Sequence, residues 1–509
     1  MTPFRNEPIV DFARDESARR AQAAAIEGFK AVEAPLVVDG RRLPLRDAIE
    51  STSPIDPKIL VGRAGKATAA QARKAVEAAH AAFGRWSAVP PEERAEILVR
   101  AAAGMRARRW ELNATMILEV GKTWTEADAD TAEAIDFCEY YAREGLRYAQ
   151  DPPVTPVPGE RNRLRYVPMG AVVSISPWNF PCAILTGMAA GPLAAGNPVI
   201  MKPASVSPII AWKSFEILEE AGVPPGVLQY LPCSGGEVGD LLVDHPLVRV
   251  VSFTGSKEIG TRIHERASRV GKGQRWLKRT VIEMGGKDAI VVDADADLEA
   301  AAAGIVASAF GFQGQKCSAC SRAIVVGKAY RPVLDRVVAL TRALRVGDPR
   351  DPATQVGPVV DGRQLKKVSD YIRIGRREGK LVAGGRRLDG PGYLLEPTIF
   401  ADVDPRARIS QEEIFGPVLA FTRAKDFDDA LRIANDTDYG LTGAYYGTRT
   451  AEAAERFHVG NLYLNRKCTG ALVGGHPFGG FKMSGTNSKA GGPDYLRLFL
   501  EAKAIAEKV

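Results

Sequence analysis

Cysteine is scarce in this chain. There are six in 509 residues, Cys138, Cys182, Cys233, Cys317, Cys320 and Cys468, with no regular spacing. That excludes a disulfide-stapled secreted domain. Histidine is scarcer still, and His80, His245, His264, His458 and His476 are scattered. Cys317 and Cys320 spell CxxC, but a zinc site needs a second pair of ligands, so no metal is expected. The context of a thioredoxin-type redox pair is also missing, and Cys320 reads as a packed bystander. The N-terminus has no apolar signal core, and Glu7, Asp11, Asp15 and Glu16 are unlike a transit peptide. Tyr166 to Met201 carries no charge, yet Pro168, Pro177, Pro181, Pro192 and Pro198 interrupt it. It reads as strand, loop, helix and strand, not as a membrane span. No block of one charge sign stands out either: 68 Lys and Arg are interleaved with 61 Asp and Glu. Neither a nucleic-acid nor a membrane partner is expected, and the chain is placed in the cytoplasm.

What is present is the composition of a soluble enzyme, with 45% apolar and 25% charged residues. The length is too great for one core. Residues 8 to 34 suggest an Ala-rich helical extension. Val37-Val38 with Arg41-Arg42-Leu43 suggests a small hairpin. Thr68 to Trp86, Pro91 to Val120 and Thr123 to Ala149 have the apolar spacing of long amphipathic helices. From about residue 167, short β-branched runs alternate with helices. Strands are expected at 171–175, 197–201, 226–231 and 248–253, with helices at 206–221 and 236–244. Such alternation implies parallel strands with helical crossovers. The pattern restarts with a strand at 289–292, a helix at 298–313, a strand at 322–326 and a helix at 330–343. A second α/β domain is therefore expected over 285–474.

Five segments suggest chemistry. Phe253-Thr254-Gly255-Ser256 follows an apolar strand and opens a helix. Free N–H groups and the Ser256 hydroxyl suit a pyrophosphate, although the segment is neither GxGxxG nor a P-loop. Met201-Lys202-Pro203-Ala204 puts a lysine at a strand's carboxyl end, where open sheets bind ligands. Phe312-Gln313-Gly314-Gln315-Lys316-Cys317-Ser318 offers a thiol after a Gly-interrupted loop, and Glu283 offers a carboxylate beside Gly285-Gly286. A thiol is a nucleophile towards a carbonyl carbon, and a glutamate can activate water. Ser176-Pro177-Trp178-Asn179-Phe180-Pro181 is a proline-locked loop whose Asn amide can donate to an oxyanion. Each segment alone is also explained by ordinary packing or a turn. Five together, all at strand ends or loops, are not.

Taken together these residues resemble the aldehyde dehydrogenase superfamily over residues 37 to 500. The matching blocks are PWNFP at 177–181, KPA at 202–204, FTGS at 253–256, EMGGK at 283–287, GQKCS at 314–318, EEIFGPV at 412–418 and PFGGFKMSG at 477–485. The resemblance implies an α/β fold: a Rossmann-type cofactor domain (37–152 and 168–284), a catalytic domain (285–474) and a small β oligomerisation arm (153–167 and 486–509), after a helical extension over 1–36. It implies Cys317 as nucleophile, Glu283 as the base for deacylating water, and Asn179 with the Cys317 N–H as oxyanion hole. Lys202 and Ser256 match the ribose and pyrophosphate ligands, and Glu413 the nicotinamide-ribose ligand. Phe415, Gly255 and Trp178 shape the same cleft. The cofactor implied is NAD. Many NAD-specific members carry an acid three residues after the lysine, where this chain has Ser205, so NADP should be tolerated as well.

Finer blocks resemble the group that acts on Δ1-pyrroline-5-carboxylate, the cyclic form of L-glutamate γ-semialdehyde. These are residues 311–322, the run 467–480, NRLRYVPMG at 162–170 and Gly485-Thr486-Asn487. In that group the loop at Gly470-Ala471 grips the substrate's α-carboxylate, as Gly-rich backbone can. Ser318 adds a hydroxyl, and Phe180 and Phe478 line the aliphatic part. No proline dehydrogenase barrel is attached, so a monofunctional chain is expected, as a homodimer or higher homo-oligomer. A dehydrogenase for another semialdehyde or a broader range, and a non-catalytic NAD-binding or thiol-sensing protein, stay open as alternatives.

Overall fold

The computed structural model describes residues 2–509. Two seven-stranded sheets organise it. The first runs Arg279–Glu283, Val250–Thr254, Val172–Ile175, Val199–Lys202, Leu228–Tyr230, Leu36–Val38 and Arg41–Leu43. Its first five strands are parallel, and the hairpin 36–43 closes the edge antiparallel. The strands are continuously apolar because both faces are covered, as parallel sheets require. Register explains the site. Ile175 sits opposite Lys202 and Phe253, and Thr254 opposite Glu283. Four chemistry-bearing strand ends therefore emerge at one sheet edge.

The second sheet runs Lys380–Ala383, Thr398–Ala401, Val418–Ala424, Cys320–Val326, Asp288–Val292, Thr442–Tyr446 and Asn461–Leu464. Only its first strand is antiparallel. A smaller sheet joins Val32–Ala34, Leu60–Gly65 and Ala48–Thr52. A separate ribbon pairs Glu160–Pro168 with Leu500–Lys508, antiparallel and largely exposed.

The helix Ala69–Ser87 starts at a capping box of Thr68 and Gln71. Trp124–Tyr148 is the longest helix among the described residues, and it packs on Pro91–Ala107 and on Ala183–Ala194. Glu119 lies buried between elements. Its carboxylate accepts from the N–H groups of Ile209 and Ile210 (2.8 and 2.9 Å), at the start of the helix Pro208–Glu220, and from the Ser51 hydroxyl at 2.8 Å. It caps that helix from another segment. No described helix is long and apolar enough to cross a membrane.

Three local expectations need correction. The extension over 1–36 is helical only at Glu16–Glu27, with Asp15 as N-cap and Gly28 at the end, and Val32–Ala34 is a strand paired to 62–64. Ala richness carries no register, and the tertiary pairing decides. The stretch 91–120 is two helices, broken at Arg108 (φ −102°, ψ 18°), whose side chain binds Glu111 and Glu216. The helix expected to 313 ends at Phe310, because Phe312 and Gln313 take φ of 46° and 56°.

Candidate active site

A cavity of about 480 Å³ is walled by residues from both sheets. Trp178, Asn179, Lys202, Gly255 and Ser256 come from the first, and Cys317, Glu413 and Phe415 from the second. Eight of the expected site residues therefore share one space, although they lie up to 237 positions apart, from Trp178 to Phe415.

One end suits a dinucleotide. Lys202 is buried, and its ammonium meets only its neighbour's carbonyl, Pro203, at 3.2 Å. An ammonium has three donors, so two remain for ligand hydroxyls. Burial lowers its pKa. Ser256 caps the helix Lys257–Ala267, whose first N–H groups are left for an anion. Glu413 accepts from the Gly286 N–H at 3.1 Å through one oxygen, leaving the other to the cavity. Gly285 has to be glycine here, since a Cβ would lie 2.0 Å from the Glu413 carboxylate. Trp178 meets the Phe415 ring edge-on at 5.3 Å. The residues present fit NAD.

The other end holds the chemistry. The strained turn at Phe312 and Gln313 sets the nucleophile loop, and Gln313 is tied by its amide to the carbonyls of Gly121 (3.1 Å) and Pro358 (2.8 Å). Phe415 is also left-handed, with φ of 60°. Cys317 is half-buried. Burial, and then the carboxylates of Asp288, Glu413 and Glu283, push its thiol pKa up, while the Ser318 N–H pulls the other way. Asn179 is buried, and its amide makes no hydrogen bond within the described chain, so it is free to serve the cavity.

Glu283 stands just behind the wall, next to Met284 and Gly285, which line it. Its carboxylate accepts from the Ser488 N–H (2.9 Å), the Ser488 hydroxyl (2.8 Å) and the Gly480 N–H (3.2 Å). Burial raises its pKa to about 7, and these donors and Lys489 moderate the rise. The block 477–488 is thus a cover over Glu283. Gly485 bridges to Glu283, and the Met284 N–H donates to Ser484.

The remaining expected residues lie outside the wall. Ser205 is half-buried, three residues past Lys202. Phe180 stacks under the Lys122 ammonium at 4.2 Å, and Phe312 faces that ammonium at 4.4 Å. Ser318 is buried, and its carbonyl accepts from Cys468 and from Thr442. Gly470 is exposed with φ of 78°, Ala471 is half-buried, and Phe478 pairs with Ala490.

Sequence reasoning missed several groups. Gln364 and Lys367, on the helix Gly362–Glu378, line the cavity, as do Asp240 and Arg262, which pair with each other. Lys287 is wholly buried, and its ammonium has no hydrogen-bond partner among the described residues. Burial lowers its pKa to about 7. Lys287 sits inside a motif already noticed, whereas no local pattern marks Lys367. Lys316 pairs with Glu126 at 2.7 Å, beside Phe180.

A model of the aldehyde dehydrogenase family matches residues 44–505. The 1-pyrroline-5-carboxylate dehydrogenase of Geobacillus sp. (strain WCH70) is 56% identical over 516 aligned positions, covering 100% of this chain and 99% of its own. The structure of 1-pyrroline-5-carboxylate dehydrogenase from Thermus with bound NAD is 54% identical, with a TM-score of 0.98 and full coverage of both chains. Proline utilization A from Bdellovibrio bacteriovorus is 42% identical with a TM-score of 0.97, and this chain covers 53% of it.

Proposed function

The chain belongs to the aldehyde dehydrogenase family, and from that premise we propose that it oxidises L-glutamate γ-semialdehyde to L-glutamate with NAD, in proline breakdown. The observation that carries the reading is the single cavity in which Cys317 and Asn179 meet Lys202, Ser256 and Glu413.

The Cys317 thiol passes its proton to solvent water in the open cavity as its sulfur attacks the aldehyde carbon and the carbonyl π bond opens to an oxyanion. The Asn179 amide and the Cys317 N–H receive the resulting oxyanion, which is what preorganised donors do best. NAD, when bound, accepts the hydride and leaves a thioester on Cys317. Lys202, the helix start at Ser256 and Glu413 hold the dinucleotide, and Trp178, Gly255 and Phe415 shape its bed. Glu283 then takes a proton from the water that hydrolyses the thioester, and a pKa near 7 suits that work. The covalent route divides one difficult step into two. The N–H groups of Gly470 and Ala471, with Ser318, receive the α-carboxylate, and Phe180 and Phe478 flank the chain. Ser205 leaves room for NADP. The enzyme works in the cytoplasm, consistent with six free cysteines. The ribbon of 160–168 and 500–508 bridges subunits of a homodimer or larger homo-oligomer, consistent with its exposed edges.

The test follows NADH at 340 nm with L-glutamate γ-semialdehyde, succinate semialdehyde and propionaldehyde, and with Cys317→Ala as control. A strong preference for the first, lost in Cys317→Ala, is expected. Equal rates on all three would remove the substrate assignment, and activity surviving in Cys317→Ala would remove the nucleophile.

A further inference from the structure

Gly470 and Ala471 can hold a carboxylate only if their two N–H groups point the same way and are not already used. Among the described residues neither N–H donates to any acceptor of the chain. Downstream the loop is pinned by other groups. The Gly474 N–H donates to the Gly491 carbonyl at 2.7 Å, the Leu472 N–H to His476 Nδ1 at 3.1 Å, and the Asn6 amide to the Val473 carbonyl at 2.9 Å. None of these fixes the peptides on either side of residue 470.

Arg466 does. Its Nη2 donates to the carbonyl of Thr469 and to the carbonyl of Gly470, both at 3.2 Å. In a trans peptide the carbonyl and the following N–H point in opposite directions. A guanidinium that gathers the carbonyls of 469 and 470 on one side therefore turns the N–H groups of Gly470 and Ala471 to the other. The guanidinium is itself held over the Tyr463 ring, 4.5 Å from its centre. Gly470 at φ 78° supplies the left-handed turn that brings both carbonyls to one donor.

We propose that Arg466 is a positioning residue: without touching substrate, it aims the N–H groups of Gly470 and Ala471 and so sets the preference for an aldehyde with a distal carboxylate. The proposal rests on the reading that these two residues receive that carboxylate. The planar fork matters, because a flexible ammonium is a point donor with no fixed pair of directions.

The experiment compares KM and kcat of the full-length enzyme for L-glutamate γ-semialdehyde and for propionaldehyde, which has no carboxylate. In Arg466→Met, which keeps an apolar stem on Tyr463, KM for the semialdehyde rises about tenfold, the equivalent of one weakened charge-assisted hydrogen bond. kcat stays within about twofold, since the reacting end is untouched. Propionaldehyde kinetics do not change. Arg466→Lys recovers part of the loss, and decides the matter with the same readout if the Met variant does not fold. An unchanged semialdehyde KM, or an equal loss on both aldehydes, overturns the role of Arg466. If the unmodified enzyme itself shows no preference for the semialdehyde, the carboxylate reading beneath it has failed instead.

Discussion

Removing the Ser488 hydroxyl should move the pH dependence of the enzyme's turnover towards alkaline pH. Glu283 is useful as a base only when ionised. Burial holds its pKa near 7, and the Ser488 hydroxyl at 2.8 Å opposes that rise by donating to the charged form. A hydrogen bond to a charged group contributes roughly 1.5–3 kcal/mol, and about 1.4 kcal/mol corresponds to one pKa unit. Two N–H donors, of Ser488 and Gly480, remain and take up part of the loss. The shift in Ser488→Ala should therefore be about one unit upward. At pH 7 the ionised fraction falls from about one half to about one tenth, so hydrolysis of the thioester slows about fivefold. At pH 9 both enzymes are almost fully ionised, and the difference vanishes. The assay is single-turnover and steady-state NADH formation from pH 6 to 9.5, which separates the first burst from the hydrolytic rate. A pH-independent loss would mean that Ser488 only shapes the cover, and a shift to lower pH would refute the electrostatic argument.

Asn179→Ala should lower kcat by roughly 10²–10³, with a thermal midpoint close to the parent's, because one oxyanion donor is lost; stopped-flow burst kinetics would locate the loss in the first step. Ser205→Glu should raise KM for NADP about tenfold through repulsion of the 2′-phosphate, with little change for NAD, read from initial rates with both cofactors. Glu119→Ala leaves the N–H groups of Ile209 and Ile210 buried without an acceptor and should destabilise the fold by about 3 kcal/mol, visible in urea unfolding.

How much of this was legible beforehand depends on how local each signal is. The strands at 172–175, 199–202 and 250–254 announce themselves by β-branched runs, and the motifs that follow them mark the cavity wall. Their meeting at one edge is a matter of register, which only pairing can fix. The β arm that the family resemblance implies contains the tail strand Leu500–Lys508, paired with 160–168. The break at Arg108 was not, because nothing in Ala107-Arg108-Arg109 disfavours a helix; its cause is ion pairing with Glu111 and Glu216, the latter on a distant helix. Lys367 and Gln364 escaped for the same reason, since an amphipathic helix does not say which cavity its polar residues reach. Gly480 lies in a recognised block and Ser488 just beyond one, but their grip on Glu283 spans about two hundred residues.

The left-handed backbone at Phe312, Gln313 and Phe415 has a consequence for the protein's evolution. An L-residue in that region costs roughly 1–2 kcal/mol, so the three together hold about 3–6 kcal/mol of strain around the cavity. Glycine would relieve that strain, but it would also delete the fully buried ring of Phe312, the two hydrogen bonds of the Gln313 amide and the Phe415 ring that meets Trp178. Truncating a buried Phe costs about 3–5 kcal/mol, more than the relief at that residue. A lineage selected for heat resistance alone should therefore keep these side chains, because the packing that imposes the strain is also what makes the fold hold it.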